Sequence, residues 1–114
     1  MSWHHGGMMP RQLTIEQDKI VLYLLNPSHP DGWSKAQFFL AHGFSVDEPE
    51  ILAAAFFDHA SHGWPGLVSH FQFGQKHTIV DIMPLPDGTS RKMKVIWQME
   101  HGADVASLVT AYPQ

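Results

Sequence analysis

Leu67-Val68-Ser69-His70-Phe71-Gln72-Phe73-Gly74 is where the chain changes its period. Ahead of it, apolar residues recur at helical spacing. From Leu67 onward apolar and polar residues roughly alternate, the two-residue repeat of a strand with one face covered. Gly74 then offers a turn into Lys76-His77-Thr78-Ile79-Val80-Asp81-Ile82-Met83, a second strand. Pro86-Asp87-Gly88 is the next turn, because proline presets the first backbone angle and glycine permits a positive one. Lys92 to Met99 alternates cleanly, with Met93, Val95 and Trp97 on one face and Lys92, Lys94 and Ile96 on the other. After His101-Gly102, Ser107 to Pro113 reads as a terminal strand, which completes a four-stranded antiparallel meander.

Upstream, the pattern is helical. Asp47 and Glu50 frame a helix start with Pro49 tolerated in the first turn, and the acidic cluster suits the positive end of the helix dipole. Ile51 to His62 follows, with Leu52, Ala55, Phe56 and His59 on one face, and Gly63 and Pro65 end it. Ser34 and Gln37 have capping-box spacing, so a helix is expected from Lys35 to His42, with Gly43 in the left-handed position behind it and Phe38 and Phe39 in the core. Thr14 and Gln17 repeat that spacing and predict a first helix carrying Ile15, Ile20, Val21, Leu22, Leu24 and Leu25. It must stop near Asn26, since Pro27 disfavours a helical residue before it. About three helices followed by an antiparallel sheet is the segregated α+β arrangement.

Residues 1–11 have two histidines, two glycines and no apolar periodicity, which reads as a mobile tail ahead of a single domain over 12–114. The pair His4-His5 needs further ligands to hold a metal. A chain of 114 residues with 44% hydrophobic content has room for one modest core. The absence of cysteine excludes disulfides, thiolate zinc sites and cysteine nucleophiles. No apolar run approaches the roughly 20 residues of a membrane span, and the N-terminus lacks a signal-peptide layout, so a soluble cytoplasmic protein with no membrane partner is expected.

The net charge of −4 argues against a protein that coats nucleic acid. The charges are uneven, however. Between Ser69 and Gln98 the basic Lys76, Arg91, Lys92 and Lys94 outnumber Asp81 and Asp87, while Asp47, Glu48, Glu50 and Asp58 cluster in the middle. One end of the molecule is therefore suited to phosphate. Asp58, His59 and His62 fall short of the three or four converging ligands that zinc requires, so no metal or other cofactor is expected.

The connector from Asn26 to Phe39 carries more chemistry than reversal of the chain needs. Pro27, Gly32, Ser34 and Gln37 have structural reasons as stop, turn and cap. His29, Trp33 and Lys35, at the start of a helix, do not.

Tyr23-Leu24-Leu25-Asn26-Pro27, His29-Pro30, Gly32, Ser34-Lys35-Ala36, Phe38-Phe39, Gly43-Phe44, Pro86-Asp87-Gly88, Trp97 and Leu108-Val109-Thr110-Ala111-Tyr112-Pro113 resemble a family of small uncharacterised bacterial domains. That family occurs as standalone proteins and C-terminal to toxin-like and phage-derived polypeptides. The order of elements is also similar to the barnase, EndoU, colicin and RelE group of ribonucleases. The resemblance implies a metal-independent ribonuclease-like toxin domain that cleaves RNA by attack of the 2′-hydroxyl. Such chemistry needs a base, an acid and cationic donors for the charge on phosphorus. His29, Lys35, Lys76, Thr110 and Tyr112 are the candidate catalytic residues, with Trp33 and Lys94 as RNA-binding residues; Trp97, the other tryptophan able to stack a base, reads as core. The acidic balance supports an alternative, a small protein-binding module acting as the immunity or antitoxin partner of a basic toxin.

Overall fold

The structure is a computed structural model and describes residues 9–114, so the His4-His5 pair lies outside it. In chain order the elements are β1 (Gln12–Thr14), α1 (Gln17–Lys19) running directly into a π-helical stretch (Ile20–Leu24), α2 (Trp33–Ala41), α3 (Pro49–Gly63), β2 (Leu67–Phe71), β3 (Gly74–Pro84), β4 (Ser90–Glu100) and β5 (Val105–Pro113). No helix is long and apolar enough to cross a membrane among the described residues.

The α+β class holds, but the sheet has five strands and is mixed, in the order β1-β5-β4-β3-β2. The expected four-stranded antiparallel meander is its β2 to β5 portion. The added strand runs parallel to β5, with Gln12 to Thr14 beside Val105 to Ser107. It is fastened at its start, where the Arg11 N–H donates to the Asp104 carboxylate at 2.9 Å and the Gln12 N–H donates to the Asp104 carbonyl at 3.3 Å. Three residues are too few to display alternation, and Thr14 closes this strand instead of capping a helix. The N-cap is Glu16, whose side chain makes no cap bond.

Helices cover one face of the sheet. Ile20, Leu24 and Leu25, Phe39 of α2, and Leu52, Phe56 and Ala60 of α3 form one core with Ile79, Met83, Met93, Val95, Trp97, Ala106, Leu108 and Ala111. The predicted inward set on β4, Met93, Val95 and Trp97, is fully buried. Phe39 sits edge-on to both Phe44 and Phe56 at 5.8 and 5.9 Å, an arrangement that satisfies the ring quadrupoles. Each fully buried Leu, Ile or Phe contributes about 1.5–3 kcal/mol from area removed from water. The entry to β2 needs Gly66 at φ +65°, where an added Cβ would collide with the Thr78 carbonyl oxygen.

The other face of the sheet is open. Residues paired across neighbouring strands share a face, so Ile82 beside Lys92, Val80 beside Lys94, Thr78 beside Ile96 and Lys76 beside Gln98 stand together. Tyr112 and Thr110 join them opposite Lys94 and Ile96. Val80 and Ile82 are 45% and 55% exposed, which marks this surface as facing solvent.

Buried His77 locks the end of α3 to the sheet. Trp64 stacks on it at 4.2 Å, its Nδ1–H donates to the Pro65 carbonyl at 3.0 Å, and Nε2 accepts from the Gln75 amide at 2.7 Å. Burial is the main cause that pushes its pKa below the ordinary 6.5, opposed by the Pro65 bond and assisted by His70. The unfolded chain therefore binds a proton near pH 6.5 that the folded chain binds only at lower pH, and stability drops as pH falls through that window. Urea midpoints of the wild type and His77→Gln, compared between about pH 7 and about pH 5, are expected to converge toward the acid end. A constant gap would show that His77 titrates alike in both states.

Candidate functional site

β1 covers only Val105 to Ser107 of β5, and among the described residues no strand pairs with the outer edge of Leu108 to Pro113. The connector between the first helical stretch and α2 comes to that edge. Asn26 shapes it from both ends of its amide: Nδ2 donates to the Leu22 carbonyl at 3.1 Å, and Oδ1 accepts from the Ser28 N–H at 3.0 Å. The second is an Asx turn, which offers the backbone an alternative to continuing the helix. Gly32 then passes so close to Tyr23 that a Cβ there would stand 2.7 Å from the Tyr23 carbonyl oxygen and 2.9 Å from its ring.

His29 holds the start of α2. Its Nδ1 accepts from the N–H groups of Asp31 and Gly32 at 3.0 and 3.1 Å. The helix begins ahead of the expected Ser34 cap: the N-cap is Gly32, with no side-chain cap of its own, and the imidazole braces the turn leading into it. An Nδ1 that accepts two N–H groups carries no proton, which places the proton on Nε2. Nε2–H is thus the ring's donor, on the side away from its two backbone bonds.

Tyr23 is the centre of the cluster. Its hydroxyl lies 3.2 Å from Thr110 Oγ1, and the His29 ring meets its ring edge-on at 5.0 Å. Lys35 Nζ stands 5.6 Å from the Tyr23 ring and 5.8 Å from the Tyr112 ring. Lys94 Nζ approaches Tyr112 to 5.6 Å, and Lys19 Nζ approaches Tyr23 to 5.5 Å. The ion pairs among the described residues are Arg11 with Asp104, His42 with Asp87 and His62 with Asp58, so these lysines rest on aromatic rings instead of carboxylates. Contacts of this kind are worth about 0.5–1 kcal/mol at exposed sites and leave the ammonium groups able to meet an anion.

Two depressions open beside the cluster. One of about 380 Å³ is lined by Ser34, Lys35, Tyr112 and Pro113. The other, about 640 Å³, includes Lys19, Tyr23, His29 and Thr110, with Glu16 and Asp18 at its wall. The first is the better receptor for an anion: no carboxylate lines it, and it adjoins the first turn of α2, where helix amides and dipole favour negative charge.

Of the residues expected to form a site, His29, Lys35, Lys94, Thr110 and Tyr112 gather around the two tyrosines. Lys76 does not. It pairs with Gln98, four residues along β4 from Lys94, and its ammonium lies 5.6 Å from the Phe71 ring. Trp33, half exposed, opens α2 next to Ser34 and Lys35. Trp97 has no exposed surface and cannot stack a base. Tyr23 and Lys19 were not among the expected site residues, although Tyr23 opens the Asn26-Pro27 motif and Lys19 precedes it by one helical turn.

A small α+β domain with helices on one sheet face and a lysine-tyrosine cluster at the free edge of its last strand is the class this geometry defines. Residues 10–114 match the family described as Domain of unknown function (DUF6883), and the chain belongs to that family. No curated protein matches it. In fold it is similar to a chain of the contact-dependent growth inhibition toxin - immunity protein complex from Klebsiella pneumoniae 342, with a TM-score of 0.68, 12% identity, and coverage of 88% of this chain and 98% of that one.

Proposed function

We propose that this chain is a ribonuclease-like toxin domain that acts on RNA without a metal, by attack of the 2′-hydroxyl on the neighbouring phosphorus. The observation that carries the reading is Tyr112 flanked by Lys35 and Lys94, neither of which has a carboxylate partner among the described residues. Charge builds on the phosphoryl oxygens as the 2′-oxygen attacks, and two fixed ammonium groups favour that state over the ground state. His29, with Nδ1 held by two backbone amides, offers its Nε2–H as a hydrogen bond to a phosphoryl oxygen on which charge develops. The hydroxyls of Thr110 and Tyr112 are hydrogen-bond donors on the same edge; one solvent water receives the 2′-hydroxyl proton and a second protonates the leaving oxygen. Membership in a family of unknown function neither adds to nor subtracts from this chemistry. The toxin and immunity pairing of the structural neighbour supports a toxin-related role.

A specific observation favours a second reading. The exposed acidic cluster of Asp47, Glu48, Glu50 and Asp58, on a chain of net charge −4, suits a module that covers a basic protein as its immunity partner. The two separate cleanly. A fluorescently labelled RNA incubated with the protein in EDTA is expected to be cut, and His29→Ala is expected to lower the rate about 10²–10³-fold, the range for loss of one preorganised donor to developing charge. Intact RNA together with co-purification of a basic protein would replace the first reading by the second.

A further inference from the structure

We infer that the Phe71, Phe73 and Lys76 corner of the open sheet face is a second RNA subsite, which takes a nucleotide flanking the scissile bond and makes single-stranded RNA the substrate class. The inference rests on the function proposed above. Phe71 and Phe73 meet edge-on at 6.1 Å, and Phe73 is 59% exposed at the turn between β2 and β3. Lys76 Nζ lies over the Phe71 ring at 5.6 Å and has no ion-pair partner among the described residues. An exposed aromatic ring beside an unpaired ammonium is the combination that stacks a base while holding its phosphate.

The path between the two corners is open and suited to RNA. Strand register puts Phe71, Lys76 and Lys94 on one face. Four residues of strand separate Gln98, the partner of Lys76, from Lys94, a span of about 13 Å. Ile96, Thr78 and Gln98 fill that span, offering an apolar surface, a hydroxyl and an amide with no carboxylate among them. Glu100, opposite Gly74 and so beside Phe71, is the one carboxylate of β4 on this face and bounds the subsite at its outer end. Charge thus selects a polyanion along this line, and the aromatic rings select unpaired bases over a duplex, whose bases are already stacked.

Fluorescence anisotropy with labelled oligouridylates of about 3 and about 12 nucleotides tests the subsite, the longer one matching the span that sheet-based binders cover. Phe73→Ala is expected to weaken the longer RNA about tenfold, the equivalent of one base stack, and to leave the shorter one unchanged. Lys76→Gln is expected to reduce the dependence of log affinity on log salt by about 0.7 for the longer RNA alone, as loss of one phosphate contact does. Equal affinities of wild type and both variants for the longer RNA would overturn the subsite while leaving the proposed function standing. Equal losses for both lengths would place these residues at the primary site and overturn it as well. Failure of the wild type to bind either RNA would remove the proposed function and the subsite together, and binding of an acidic protein on this face, abolished by Lys76→Gln, would then assign the corner to a protein partner.

Discussion

Lys35→Ala is expected to slow RNA cleavage by about 10²–10³-fold, the cost of removing one preorganised donor from the place where charge develops. Lys35 is, among the described residues, the one cation that reaches both halves of the cluster, standing over Tyr23 and over Tyr112. Its stem leaves the first turn of α2, a segment fixed by two hydrogen bonds to His29 Nδ1, so the ammonium is held by packed structure. The folded state loses little in the variant: cation and ring contacts at such a site are worth about 0.5–1 kcal/mol each, and no ion pair is broken. A large fall in rate with a small shift in melting temperature is therefore the signature of a group that acts on the substrate. Lys35→Arg keeps the charge and should recover part of the rate, because the guanidinium is longer and planar and reaches the phosphate differently. Unchanged cleavage in Lys35→Ala would remove this side chain from the site, whatever the assay says of His29.

The residues show why some of this was legible in the chain and some was not. β3, β4 and β5 alternate over nine to eleven residues, long enough for burial on one face to leave its period in the sequence. β1 leaves none, since its position depends on Asp104, 93 residues away from Arg11 in the chain. Both capping-box spacings in the first half were misleading. The Thr14 backbone was taken into a strand, and α2 begins before Ser34, behind Gly32, on a turn that the His29 imidazole braces. A local pattern of hydrogen-bonding side chains states what a turn can do, and long-range pairing decides whether it does it. The site divides in the same way. Lys35, Thr110 and Tyr112 come together because the connector packs at the uncovered edge of β5, a place set by the brevity of β1. Lys76 and Lys94 look close in a list of basic residues, yet strand register separates them along the sheet. Tyr23 was hidden by its own apolar ring, which fits a helix face well enough to conceal that its hydroxyl reaches Thr110.

Trp97→Ala is expected to cost about 3–5 kcal/mol, the range for emptying a fully buried large aromatic site. Trp97 stands in the middle of β4, paired with His77 on one side and Leu108 on the other, at the point where the β4 to β5 register shifts. Phe57 of α3 stacks on it at 6.2 Å with the rings 25° apart, so the indole joins helix to sheet as well as strand to strand. Neighbouring side chains on rigid strands cannot close around the gap, and collapse would have to move α3 itself. The indole nevertheless carries a fault: its Nε1–H is buried and finds no acceptor among the described residues. A buried donor without a partner costs about 1–3 kcal/mol, so part of what the ring contributes by packing is offset by its nitrogen. Trp97→Phe removes that donor and keeps most of the apolar volume. Its loss of stability should accordingly be much smaller than that of Trp97→Ala, with the smaller ring's cavity set against relief of the unsatisfied N–H. Chemical denaturation of the three proteins measures both effects. A phenylalanine variant as unstable as the alanine variant would mean that Nε1–H has a partner worth more than the volume of the ring, and a nearly stable alanine variant would mean that Trp97 is not the joint between α3 and the sheet.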